Sequence, residues 1–219
     1  MTTLKYVNYE KGYHGKSLEL YREFTKLLYS LKWNERSEMI SDWNSYLNET
    51  ERINRHFTKL ELKEDKEFST VHLKDSVYIT DPCHEVGTWC QGLVTNIMPG
   101  EYRCIRRMTE DTGFNTTFRV AQIRVIRIGY EAANLKYKKL PITVGVDSGQ
   151  AGIFNKDYYE KNQPNEDWYE KICKITDENH FGVINDEGVV SRSGYGDGSY
   201  RAYAAYANGK IVGIKIYFI

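Results

Sequence analysis

No stretch of this 219-residue chain is apolar for the length a membrane-spanning helix needs. Charge of one sign is not in excess either: Lys plus Arg and Asp plus Glu each number 30 and are interspersed. A general nucleic-acid binder carries a basic excess or stripe, so that class is set aside. Met1-Thr2-Thr3-Leu4-Lys5-Tyr6 lacks the apolar core of a secretory leader, and the expectation is a soluble cytoplasmic protein with no membrane partner. Cysteine is sparse. Cys83, Cys90, Cys104 and Cys173 span about ninety residues of a chain long enough to fold without disulfide staples. Cys83 and Cys90 flank His84, but six intervening residues do not make the C-x-x-C knuckle of a structural zinc site, and no second pair follows. No metal and no cofactor is expected, and the cysteines read as small buried hydrophobes. Internal repeats, low-complexity segments and a complete catalytic constellation are all missing.

Tyrosine, by contrast, is abundant: 18 residues against 8 Phe and 4 Trp. It joins a stacking surface to a polar tip and also favours strands, so it suits both recognition surfaces and sheet-rich folds. The first sixty residues have a helical texture. Leu18, Tyr21, Phe24, Leu27, Leu28 and Leu31 recur at three- and four-residue spacing, then Met39, Ile40, Trp43, Tyr46 and Leu47 do the same after Asn34. The short link between these stripes predicts an antiparallel helix pair, followed by a charged connector over residues 59–66.

Beyond residue 70 the period becomes two. Strands are predicted over residues 76–80, 93–97, 102–108, 116–128, 140–146, 181–184 and 189–191, with Met98-Pro99-Gly100-Glu101 as a hairpin turn and a bulge near Ala121. Helical spacing returns over residues 167–175 at Trp168 and Ile172. Residues 199–207 and 210–218 flank Asn208-Gly209, a strong two-residue hairpin signal. Uninterrupted pairing from that turn places Tyr203 opposite Ile214 and Tyr200 opposite Tyr217, leaving an Ala–Gly floor with Lys215 on one face. The helix pair is expected to cover that floor. These elements predict an α+β protein: an N-terminal helical segment (residues 1–66) packed on a mostly antiparallel β-sheet or sandwich (residues 67–219), ending in the Asn-Gly hairpin. The two parts are either separate or one continuous domain.

Two glycine-punctuated acidic turns carry the functional reading: Val146-Asp147-Ser148-Gly149-Gln150-Ala151-Gly152 and Gly194-Tyr195-Gly196-Asp197-Gly198-Ser199-Tyr200. Glycine admits backbone conformations closed to other residues, so such turns hold polar groups in fixed places. Each Asp, taken alone, reads as a side chain capping the amides of its own turn. A shared cavity is the alternative, and in it Asp147, Ser148, Gly149, Gln150, Tyr195, Asp197, Gly198, Tyr200 and Lys215 are the candidate ligand-binding residues.

The run from Val146 to Phe154, the later Gly196-Asp197-Gly198-Ser199-Tyr200 and the closing Gly209-x-Ile211-Val212-x-Ile214-x-Ile216-x-Phe218 together resemble uncharacterised bacterial and phage proteins grouped as a domain of unknown function. Asp81-Pro82-Cys83 and Trp89-Cys90 fit the same pattern, which covers roughly residues 75–219. Asn155 stands where many of those proteins have Asp. The resemblance implies a bacterial or phage origin and supplies no activity.

Three functions follow as expectations. The first is a non-enzymatic binding protein for a small polar, nucleotide-like ligand, with sequestration of a nucleotide-type signal among its roles. The second is a hydrolase in which Asp147 and Asp197 hold a metal or act as general base, assisted by His84 or His180. The third is a protein-interaction module using the N-terminal helices. Oligomeric state is not legible in the sequence.

Overall fold

The computed structural model describes residues 61–111, 117–163 and 165–219. Contacts divide the chain into Met1–Glu61 with Glu110–Thr117, and Leu62–Thr109 with Phe118–Ile219; the second unit is described here. The predicted N-terminal helix pair lies outside the described residues.

Among the described residues, eleven strands form two antiparallel sheets. Strands β1 (Glu61–Leu73), β4 (Gly100–Asp111), β5 (Thr117–Arg127), β6 (Tyr137–Val146), β10 (Gly198–Ala207) and β11 (Lys210–Tyr217) build a six-stranded sheet in the order β1-β4-β5-β11-β10-β6. Strands β2 (Val77–Thr80), β3 (Gly92–Val94), β7 (Gln150–Asn155), β8 (Phe181–Ile184) and β9 (Gly188–Arg192) build a five-stranded sheet in the order β3-β2-β7-β9-β8. Alternation explains the layers. Val144, Val146, Ile123, Val125, Ile214 and Ile216 from one sheet meet Val77, Ile79, Ile153 and Val189 from the other in a single buried core. The outer face of the five-stranded sheet is capped by α1 (Lys156–Asn162) and α2 (Glu166–Asn179). Trp168 and Ile172 of α2 and Tyr159 of α1 are buried there against Tyr78, Phe154 and Val190. Ring centroids in this cluster lie 5.4–5.7 Å apart, and each such pair adds about 0.5–1.5 kcal/mol beyond area burial.

This architecture corrects the α+β expectation. Among the described residues the molecule is mostly β, and its two α-helices connect β7 to β8 in the C-terminal half instead of covering the terminal hairpin. The floor expected to take a helix is turned inward by a register shift. Asn208 and Gly209 make the expected turn, with φ of 48° and 76°, and Ala207 pairs with Lys210. A bulge between Ala205 and Tyr206 then inserts Val212, so Ala204 opposes Ile214, Ala202 opposes Ile216 and Tyr203 opposes Lys215. The small-residue floor therefore faces inward: Ala202 and Ala204 are fully buried in the intersheet core. Lys215 is left on the opposite face.

Other elements match or depart in instructive ways. The bulge near Ala121 is present as a phase slip, with Val120, Ile123 and Val125 all inward and the Ala121 carbonyl accepting from both Phe218 and Ile219. Helix α2 lies where its spacing predicts. The charged connector is instead the start of the 13-residue β1, and β3 and β4 belong to different sheets rather than one hairpin. Asn155, fully buried at the end of β7, accepts from the Lys74 amide at 2.8 Å and donates to the His72 carbonyl and the Glu187 carboxylate. An Asp there has no donors to give and sets a second charge beside Glu187, which explains Asn at this position.

Candidate functional site

The chain changes sheets at the turn between β6 and β7, and this corner carries the first acidic turn. Gly149 has φ of 70°, and a Cβ placed on it stands 3.9 Å from the Cα of Gly196. The two glycine turns therefore touch. Strand pairing agrees, since Gly198 opposes Val146 across β10 and β6. Asp147 and Asp197 line one cavity of about 320 Å³ together with His84, Trp89, Cys90 and Ser199.

A third aspartate holds the corner. Asp81 follows β2 and is fully buried. Its Oδ2 accepts from the backbone N–H groups of Asp147 and Ser148, both at 2.8 Å. Its Oδ1 accepts from the Cys83 amide at 2.9 Å and the Ser148 hydroxyl at 2.6 Å. Four donors around one carboxylate satisfy a charge that burial alone would make very costly. The turn amides of Asp147 and Ser148 are thus taken by Asp81, and the side chain of Asp147 points elsewhere.

It points to His84. Residues 81–91 run through successive turns, with Thr88 N–H donating to the Glu85 carbonyl and Gln91 N–H to that of Thr88. This folding back brings His84 and Cys90, six residues apart, into contact. His84 Nδ1 lies 3.0 Å from Cys90 Sγ, and Nε2 lies 3.1 Å from Asp147 Oδ2. The imidazole is buried, whereas the Asp147 side chain is 80% exposed. Two supports position the loop. The hydroxyl of buried Tyr159 donates to the His84 carbonyl at 2.6 Å, and Gly145 donates its N–H to the Cys90 carbonyl at 3.2 Å. Gly145 has no space for a side chain, because a Cβ there falls 2.6 Å from Cys90 Cβ. Burial raises the Cys90 thiol above its ordinary pKa, and the charges of Asp147 and Asp81 raise it further. Cys90 rests as a thiol.

Asp81, Cys83 and His84 bring three potential metal ligands within 4.8 Å of one another. Their chemistry does not favour a metal. Both Asp81 oxygens are already engaged, and burial, with the hydrogen bond to Asp81 next, pushes the Cys83 thiol up to about 12. A cation there has to displace hydrogen bonds and strip a strongly held proton.

A second cavity, also of about 320 Å³, lies against the other side of the turns and is walled by Ser148, Gly149, Gln150, Tyr195, Gly196, Arg119 and Arg192. The Arg119 guanidinium stacks 4.9 Å from the centre of the Tyr195 ring. Arg192 donates to Asp177 at 2.7 Å and to the Thr176 carbonyl at 3.0 Å. A third and larger cleft, of about 830 Å³, borders Cys83 and carries Glu85, Glu160, Glu166 and Glu170, a set that repels anions.

Of the residues singled out in the sequence, Asp147, Asp197 and Gly198 thus share the His84 cavity, and Ser148, Gly149, Gln150 and Tyr195 share the arginine cavity. Tyr200 stands apart, its hydroxyl donating to the Ser193 and Gly196 carbonyls as a buckle for the second turn. Lys215 belongs to a different surface, caged by Tyr137, Tyr203 and Tyr217 with its Nζ 4.2, 5.3 and 4.7 Å from their ring centres. His180 terminates α2 in a left-handed conformation and does not line the His84 cavity. Sequence reading missed Asp81, Cys90, Tyr159, Arg119 and Arg192. The turn-rich spacing from Asp81 to Cys90 was the available signal for the first two. No protein-family model, curated protein or solved structure matches the chain.

Proposed function

We propose that the paired turns form a recognition site for a small polar anion of nucleotide type, held in the arginine cavity. The observation that carries this reading is the meeting of both glycine turns with Arg119, Arg192 and Tyr195 around one space of about 320 Å³, near the lower end of ligand-sized pockets. Arg119 and Arg192 both stand in that wall, with Asp177 accepting from Arg192. Guanidinium groups suit phosphate, and the Ser148 hydroxyl and turn backbone suit ribose-type hydroxyls. The acidic cleft beside Cys83 fits such a ligand poorly. Sequestration of a nucleotide-type signal is the role we propose for such a site.

Calorimetry against a panel of nucleotides and cyclic nucleotides tests the reading. Saturable binding that weakens about tenfold or more in Arg192→Ala supports it. Silence across the panel from the folded chain removes it. The hydrolase alternative keeps Asp147, Asp197 and His84 in one cavity and loses His180. The interaction-module alternative rests on Leu18, Phe24, Ile40 and Trp43, which lie outside the described residues.

A further inference from the structure

We propose that the cavity lined by Trp89, Asp147 and Asp197 binds a small organic cation of the alkylammonium or guanidinium class. This site lies on the opposite side of the turns from the arginines and does not depend on nucleotide binding there.

Three observations carry it. First, the fixed charges around this space of about 320 Å³ have one sign. Asp147 and Asp197 line it, and among the described residues no Lys or Arg does. Second, both carboxylates keep capacity to accept. Asp147 meets His84 through Oδ2, at 3.1 Å, and its side chain is 80% exposed. No hydrogen bond or ion pair among the described residues engages the Asp197 carboxylate. The Ser199 hydroxyl adds a further acceptor to the same wall. Asp81 is the contrast, because four donors already saturate it. Third, Trp89 lines the cavity and is 86% exposed. One exposed ring on a bare surface is ordinary, but this one shares a cavity with two carboxylates. Indole attracts cations more strongly than the other aromatic rings do.

Charge and shape narrow the ligand. Two carboxylates repel an anion. A metal ion needs several ligand atoms converging on one point, and the cluster that gathers three of them among the described residues is Asp81, Cys83 and His84, without Asp147 or Asp197. An alkylammonium or guanidinium spreads its N–H donors and carries an apolar part, so it can reach separate acceptors while lying on the indole. Val146 and Cys90 extend the apolar part of the wall. Exposed ion pairs and cation–ring contacts are each weak. A dissociation constant of about 1 mM is therefore expected, rising as salt is added.

Titration of the full chain with agmatine, which joins a guanidinium to an ammonium, tests the site. The readouts are two ¹⁵N–H signals, the Trp89 indole and the Gly198 amide, the first assigned by its loss in Trp89→Ala. Agmatine is expected to shift both signals saturably. Affinity should fall about threefold or more in Asp197→Asn, and by a similar factor in Trp89→Ala read at Gly198. The double variant Asp147→Asn, Asp197→Asn should not saturate. Both Asp side chains are exposed, so neither substitution threatens the fold. Butylamine is expected to bind the same signals, and tetramethylammonium, which has no N–H donor, about threefold more weakly or worse. A folded parent chain that shows no saturable shift with agmatine or butylamine overturns the proposal. So does equal affinity in the parent and the double Asp variant, or saturation by calcium chloride at a lower concentration than agmatine.

Discussion

The sheet-switching corner and the outer face around Lys215 both bring polar groups against aromatic rings. At Lys215 the protein supplies every partner itself. Tyr137, Tyr203 and Tyr217 surround the ammonium, and Tyr217 Oη lies 3.1 Å from Nζ. At the corner, Asp81 is just as fully engaged, but the next polar chain runs from Cys90 through His84 to an exposed carboxylate and ends at a cavity. The difference teaches that residue type alone does not mark a site. A caged lysine and a knotted aspartate are consumed by structure, and only groups left facing space are available for chemistry.

Removing the knot should give the largest effect. Asp81→Asn turns a donor toward amides that now donate to a carboxylate, and is expected to cost about 3 kcal/mol or more in urea unfolding. An unchanged midpoint would break the claim that Asp81 holds the corner. Gly145→Ala comes next. The added methyl collides with Cys90, so a loss of about 1–3 kcal/mol is expected in urea unfolding. Full stability would show that the close seat is unimportant. Lys215→Met should cost about 1 kcal/mol or less and leave the corner untouched, so a change in the His84 ring spectrum would undo the contrast between the regions.

The smallest effect concerns pH. On the sheet that carries Lys215, Asp65 is paired with Arg107 and Arg124. Burial alone raises its pKa, but the Arg107 hydrogen bond and the Arg124 charge outweigh it and hold the carboxyl below its ordinary value. A depressed folded value stabilises above the unfolded pKa of about 3.9 and is lost as pH falls through the folded value. Asp65→Asn should therefore flatten the acid side of the stability curve by about 1 kcal/mol or less, with no change near pH 9 relative to pH 6. An unaltered acid slope contradicts the pairing.

Much of the strand content was legible because alternation is written in side chains such as Ile123 and Val125, and the Asn208–Gly209 turn in backbone chemistry. The register beyond that turn was not. One extra residue, Val212, exchanges the two faces, and nothing in a period of two announces it. Sheet membership was equally hidden for β3 and β4, since a Pro-Gly turn looks alike whether the chain returns to its neighbour or crosses to another sheet. At the corner, the meeting of Asp147 with Asp197 follows from Gly198 pairing with Val146, a long-range contact the sequence suggested only through matching glycines. Asp81 was hidden for the same reason: 66 residues separate it from the amide it holds.

The placement of His84 between Cys90 and Asp147 is tested most directly by the ¹⁵N imidazole spectrum of the full chain at neutral pH. A ring protonated at Nε2, with a shift that responds to Asp147→Asn and to Cys90→Ala, is the predicted result. A ring protonated at Nδ1, or one indifferent to both substitutions, contradicts the account.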